Sequence, residues 1–203
     1  MNLGTRKTQR GFTLIEIAVV LVIIGLLLGG VLRGQELINS ARTKNLVQEM
    51  RSVATMVYTY QDRFRRLPGD DPEAVSHVGG TKAAGTGVGD GKIDGAWNSK
   101  TPTDESVLFW QHVRLANLAT GPTTVTADTV DAVVPANAVG GRLGVTSYGP
   151  TDLKGSFMVC SGGLTGRFAR QVDTTNTDGT FSAAQSLTSA NDDTGDSVVC
   201  VAN

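Results

Sequence analysis

The sequence predicts an α+β fold in which one very long N-terminal helix leads into a β-rich domain. Three observations predict it. From Phe12 to Leu32 runs a hydrophobic segment of 21 residues in which Glu16 is the only charged one. Residues 33–66 continue with helix-compatible composition and no proline. Beyond Gly121, short runs rich in Val and Thr are separated by glycine and Asp/Asn turns, the pattern of strands.

The apolar segment comes first. As a helix rising about 1.5 Å per residue it spans about 31 Å, the thickness of a bilayer's hydrocarbon core. Arg6, Lys7 and Arg10 precede it with no acidic residue among them. That basic side stays cytoplasmic and the C-terminal bulk is exported. A conventional secretory signal is the competing reading, with Gly29, Gly30 and Gly34 as small residues for a cleavage site. Against it, Glu16 stands four residues into the apolar part and the helical pattern does not stop at Leu32. A carboxylate inside a membrane-length segment is costly and calls for a partner.

After Leu32 the pattern turns amphipathic. Leu46, Met50, Val53, Ala54, Val57 and Phe64 recur at spacings of three, four and seven, with Lys44, Gln48, Glu49, Arg51 and Gln61 between them. Pro68-Gly69 ends the helix. Phe12 to Arg66 makes one helix of about 80 Å. A soluble domain of this size has no use for that length; a spine shared among stacked subunits does. Gly25, Gly29, Gly30 and Gly34 allow close helix approach, or lower the cost of losing helical order, and both readings stay open.

Gly11-Phe12-Thr13-Leu14-Ile15-Glu16 resembles the processing motif of type IV prepilins and type II secretion pseudopilins. The resemblance implies a cut between Gly11 and Phe12 by a dedicated membrane peptidase, with N-methylation of Phe12. It implies a leader at 1–11, a spine helix at 12–66 with its membrane segment at 12–32, and a soluble α+β domain at 67–203. The implied fold is type IV pilin-like, the helix packed on an antiparallel sheet. An α-amine with a pKa of about 7.7–8.0 is mostly cationic near neutral pH, and methylation keeps the charge. Glu16 then meets the Phe12 amine of a neighbouring subunit, which offsets the desolvation of both charges and penalises wrong registers. The bland alternative is that Glu16 snorkels to the interface.

The implied function is that of a structural subunit of a type IV pilus or related filament, not an enzyme. Its partners are copies of itself, other pilins, the prepilin peptidase, and an inner-membrane platform protein with its assembly ATPase. It sits in the bacterial inner membrane before assembly and in a periplasmic pseudopilus or extracellular pilus afterwards. The alternative is a minor or tip subunit of a secretion or DNA-uptake filament whose soluble domain binds a surface or substrate. Loss of Arg6, Lys7 and Arg10 from 18 basic against 19 acidic residues leaves a mature side-chain charge of −4. No basic patch follows Arg66, so composition argues against a nucleic-acid binder, although local patterns repeat along a fibre.

Cys160 and Cys200 are the two cysteines. In an oxidising compartment two lone cysteines pair, and the resemblance implies a bridge closing the C-terminal loop 160–200. Two free thiols are the alternative.

Along the soluble domain, Leu67-Pro-Gly-Asp-Asp-Pro72 is a turn-rich exit and Gly79 to Gly95 a glycine-dense loop. Asp90 and Asp94 hint at calcium, but the further oxygen ligands and terminal glutamate of a full calcium loop are missing, and Asp-stabilised turns account for the pattern. No other cofactor is expected. Thr103 to Leu118 reads as a second helix capped by Thr103. The order of pieces from Leu67 through the glycine loop to Phe109-Trp110-Gln111-His112 is similar to a subset of prepilin-like proteins, over residues 11–118. Strands are expected at Thr123–Thr126, Ala132–Val134, Gly144–Tyr148, Ser156–Cys160 and Ser197–Val201, a short helix at Phe168–Val172, and loop at Thr174–Asp196. No catalytic constellation is evident. His112 reads as structural, His77 as a residue beside a flexible turn, and Asp70-Asp71 and Asp192-Asp193 as acids in solvated turns. Ser161-Gly-Gly lacks the flanks of a nucleophile elbow.

Overall fold

Helix α1 (Leu14–Phe64) starts at a reciprocal pair of hydrogen bonds. The Glu16 carboxylate accepts from the Thr13 backbone N–H at 2.8 Å and from the Thr13 hydroxyl at 2.7 Å. The Glu16 N–H reaches back to Thr13 Oγ1 at 3.4 Å. Thr-x-x-Glu at a helix start is a capping box, which satisfies backbone donors that the first turn otherwise leaves unpaired. The computed structural model describes residues 13–149, 155–175, 181–182 and 197–203.

The chain divides into two compact units, residues 1–40 and 41–203, with the boundary inside α1. In the first, the large apolar side chains from Leu14 to Leu32 are exposed. An 18-residue window there has mean hydropathy 2.8 and no buried residue, so the helix is long and apolar enough to cross a membrane.

In the second unit the remaining turns of α1 bury Leu46, Met50, Val53, Val57 and Tyr60, one face at helical spacing. Leu46, Met50, Val53 and Val57 join one core with α3 (Glu105–Leu115) through Val107, Phe109 and Val113, and with the sheet through Val145, Val159 and Val199. The sheet is antiparallel, with order β1-β2-β4-β3: β1 (Leu143–Thr146), β2 (Met158–Leu164), β4 (Ser197–Ala202) and the two-residue β3 (Phe181–Ser182). Cys160 lies directly opposite Cys200 in the β2–β4 register, and the two form a disulfide. The register shifts between Ser161 and Leu164, where Gly163 takes φ +69°. Ser161-Gly-Gly therefore serves a strand irregularity. Helix α5 (Gly166–Thr175) buries Ala169 and Val172 in the same core.

Several expectations are corrected. α3 begins at Glu105 with Asp104 at the N-cap, not Thr103, and the Asp104 carboxylate accepts instead from the Ser99 hydroxyl at 2.6 Å. Ala132–Val134 is not a strand: Val130–Val133 forms the short helix α4. Thr123–Thr126 is a loop as well, folded over by the Thr129 hydroxyl, which donates to the Thr124 carbonyl at 2.8 Å and accepts from the Thr126 N–H at 2.8 Å. A side chain that takes up backbone groups in this way competes with a strand ladder. The glycine loop before Gly95 has no regular element. Asp192-Asp193 and most of the acidic stretch from Thr174 lie outside the described residues.

Candidate functional site

The N-terminal segment offers one charged group on an otherwise apolar helical surface. Glu16 stands at the third helical position, with its carboxylate on Thr13, ahead of the exposed run from Ile17 to Leu32. The side chain thus has an assignment in its own chain before any neighbour is considered. Glu16 finds a partner within its own chain, and the Thr13-x-x-Glu16 spacing is its signal in the sequence. Gly11 and Phe12 lie outside the described residues.

Residues 6–32 match the family model described as the prokaryotic N-terminal methylation motif. This is the signature of type IV pilins and pseudopilins, a structural class and not an enzymatic one. The long apolar helix and the small antiparallel sheet give a pilin-like α+β architecture, and the motif with that helix fits a membrane-anchored precursor. No curated protein and no solved structure matches the chain.

In the second unit a buried polar knot ties the end of α1 to α3. Leu67-Pro-Gly-Asp-Asp is not a solvated turn: Asp70 and Asp71 are both buried. Asp71 accepts from the Tyr60 hydroxyl at 2.7 Å and from the Glu73 N–H at 2.9 Å, and pairs with His77 Nδ1 at 2.7 Å. Burial pushes the Asp71 carboxyl up, but the bonds from His77, Tyr60 and Glu73 outweigh it and leave the group below the usual carboxylate range. His77 lies on the five-residue helix α2 (Ala74–Val78), bridges Asp71 and Glu73, and stacks on Phe64 at 5.1 Å. It is a structural bridge, not a bystander of a mobile turn.

His112 is fully buried on α3. Its Nδ1 accepts from the Gly69 N–H at 2.9 Å, so the proton sits on Nε2, which donates to the Thr81 carbonyl at 2.8 Å. A ring used in this way is neutral, and burial lowers its pKa, as desolvation of an imidazolium requires.

Asp70, Asp90, Asp94 and Glu105 form an acidic corner beside this knot. Asp70 accepts from the N–H groups of Gly89 and Gly91, yet burial leaves its carboxyl raised. Glu105 accepts from the Asp94 N–H at 2.8 Å. Burial, with the charges of Asp70, Asp94 and Asp90 acting against that bond, lifts its carboxyl to about 7. Asp94 Oδ1 is enclosed without a hydrogen-bond partner, while Asp90 Oδ1 closes a local turn on the Lys92 N–H at 2.9 Å. Among the described residues no three His, Cys, Asp or Glu side chains are arranged to hold a metal ion.

Proposed function

We propose that this protein is a structural subunit of a type IV pilus or related filament, cut between Gly11 and Phe12, N-methylated on Phe12 and polymerised through its apolar helix. The observation that carries this reading is the methylation motif at residues 6–32 running directly into a helix whose apolar surface is exposed from Leu14 to Leu32. In lipid that surface is satisfied by acyl chains. Outside lipid, the same surface packs against its copies in the core of a filament. The spine helix pairs Glu16 with the Phe12 amine of the next subunit, which fixes the axial step. Assembly draws on a platform protein and an ATPase in the inner membrane.

The test is mass spectrometry of the protein recovered from sheared cell-surface filaments of the producing bacterium. An N-terminal N-methyl-Phe12 peptide from an abundant filament component supports the reading. A mature N-terminus elsewhere, such as after Gly30, or a protein absent from every filament and pseudopilus fraction, overturns it.

A further inference from the structure

The two tryptophans belong to different clusters. Trp110 lies in the main core, 3% exposed, with its indole N–H enclosed and without an acceptor. Trp97 is partly buried and packs with Val198 on a small second cluster formed by Met158, Cys160, Cys200 and Ala202. That cluster is on the outer face of the sheet. Val145, Val159 and Val199 point into the main core, and their neighbours along each strand point the other way. Gly144 stands directly opposite Cys160, and Cys160 directly opposite Cys200, so all three share the outer face.

Trp97 lies over two glycines of that face. A Cβ at Gly144 would run into the Trp97 carbonyl, and one at Gly162 into the far edge of the indole ring. The missing side chains let the indole settle on the sheet beside the bridge, where Cys160 and Cys200 are 0% and 2% exposed. Residues 93–99 form no helix or strand and are held by separate ties. Ile93, buried in the main core, is the fixed end. Its N–H donates to Ser147 Oγ at 2.8 Å, and its carbonyl accepts from the Ser147 N–H at 2.9 Å. The Gly95 carbonyl accepts from the Thr146 hydroxyl at 2.8 Å. Beyond Trp97, the Ser99 carbonyl accepts from Arg142 Nη2 at 2.7 Å.

A disulfide is broken by a thiolate that attacks one sulfur and expels the other, so access to the sulfur helps set the rate. We propose that residues 94–99 are a strap that seals the Cys160–Cys200 bridge, with Trp97 as its lid. Thiol exchange then waits for the strap to lift about Ile93, a local opening that leaves the main core intact. The ties that must break are the hydrogen bonds of Gly95 and Ser99 and the packing of one indole, while the α1 face and the sheet stay in place. The bridge is thereby guarded kinetically in the folded domain. The proposal does not depend on the filament reading.

The test is the rate at which dithiothreitol reduces the oxidised full-length protein in detergent micelles at pH 8. Aliquots are quenched with iodoacetamide and read by mass spectrometry as the gain of two carbamidomethyl groups. One reagent thiolate opens the bridge as a mixed disulfide; its second thiol displaces the protein, leaving Cys160 and Cys200 as thiols and the reagent as its cyclic disulfide. Trp97→Ala removes the lid and should raise the rate by about tenfold or more, and Thr146→Val, which removes one tie and keeps the indole, by about threefold. Val53→Ala weakens the core away from the strap and should stay within about twofold of wild type. Below the unfolding transition the Trp97→Ala rate should be unchanged by urea, since the remaining opening exposes little surface. The proposal is overturned by rates within about twofold of wild type in both Trp97→Ala and Thr146→Val, with Thr146→Val alone deciding where the alanine variant does not fold. An equal acceleration by Val53→Ala, or a Trp97→Ala rate that climbs with urea as steeply as global unfolding, overturns it as well.

Discussion

The backbone N–H of Gly69 donates to Nδ1 of His112 at 2.9 Å, which couples the turn after α1 to the middle of α3. Gly69 has φ +92°, and a Cβ there would collide with the Glu105 carbonyl. A glycine and a neutral imidazole thus hold the exit of the spine helix in place.

His112→Leu removes both ring bonds, leaving the Gly69 N–H buried without a partner and the Thr81 carbonyl without its imidazole donor. The cost expected at pH 8 is roughly 2–4 kcal/mol. The folded pKa of His112 is lowered, so the unfolded chain takes up the proton first, and wild-type stability at this residue is full above about pH 6.5 and lost as pH falls. The leucine variant has no such dependence. The gap between the two proteins should therefore narrow from pH 8 to pH 5, as measured by urea unfolding of the full chain in detergent.

Glu105 works in the opposite direction. Its folded pKa of about 7 is above the unfolded value, so its contribution is fully present below about pH 4.5 and is lost as pH rises through 7. Glu105→Gln keeps an oxygen for the Asp94 N–H and removes the charge. The variant should be more stable than wild type by about 2 kcal/mol at pH 8 and no more stable at pH 5. An equal gain at both values would mean that relief of the Asp70, Asp90 and Asp94 repulsion is not the cause.

The Cys160–Cys200 bridge spans 40 residues of sequence across neighbouring strands. In the chain-entropy view, closing such a loop contributes about 4 kcal/mol. Reduction with dithiothreitol, or the double change Cys160→Ser and Cys200→Ser, should lower the melting temperature by roughly 10 °C. Differential scanning calorimetry of the oxidised and reduced full-length protein is the measurement.

The sequence announced what depends on local period and little that depends on long-range donors. The apolar run to Leu32 and the spacing of Leu46, Met50, Val53 and Val57 were legible because a helix face repeats every few residues. Asp70-Asp71 reads as a solvated pair because its partners lie outside the turn: Gly89 and Gly91 for one, Tyr60 and His77 for the other. Ala132–Val134 reads as strand by β-branched content, but Val130 and Val133 turn into the core from one short helical turn. The orphaned indole of Trp110 had no sequence signal at all, because an absent partner leaves no residue to find.

Glu16 carries two assignments that a single substitution confuses. Within the chain it closes the capping box on Thr13; in the proposed filament it meets the Phe12 amine of a neighbour. Glu16→Ala removes both, leaving the Thr13 N–H and hydroxyl without their carboxylate acceptor and the segment without its negative charge. Glu16→Gln separates them, because an amide oxygen still accepts from Thr13 while the negative charge is gone. If the charge pair sets the axial step, both variants are processed after Gly11 yet yield at least tenfold less sheared filament, and circular dichroism in detergent shows the glutamine variant as helical as wild type. Normal filament yield from Glu16→Gln together with loss in Glu16→Ala would assign Glu16 to the cap and remove it from the subunit contact.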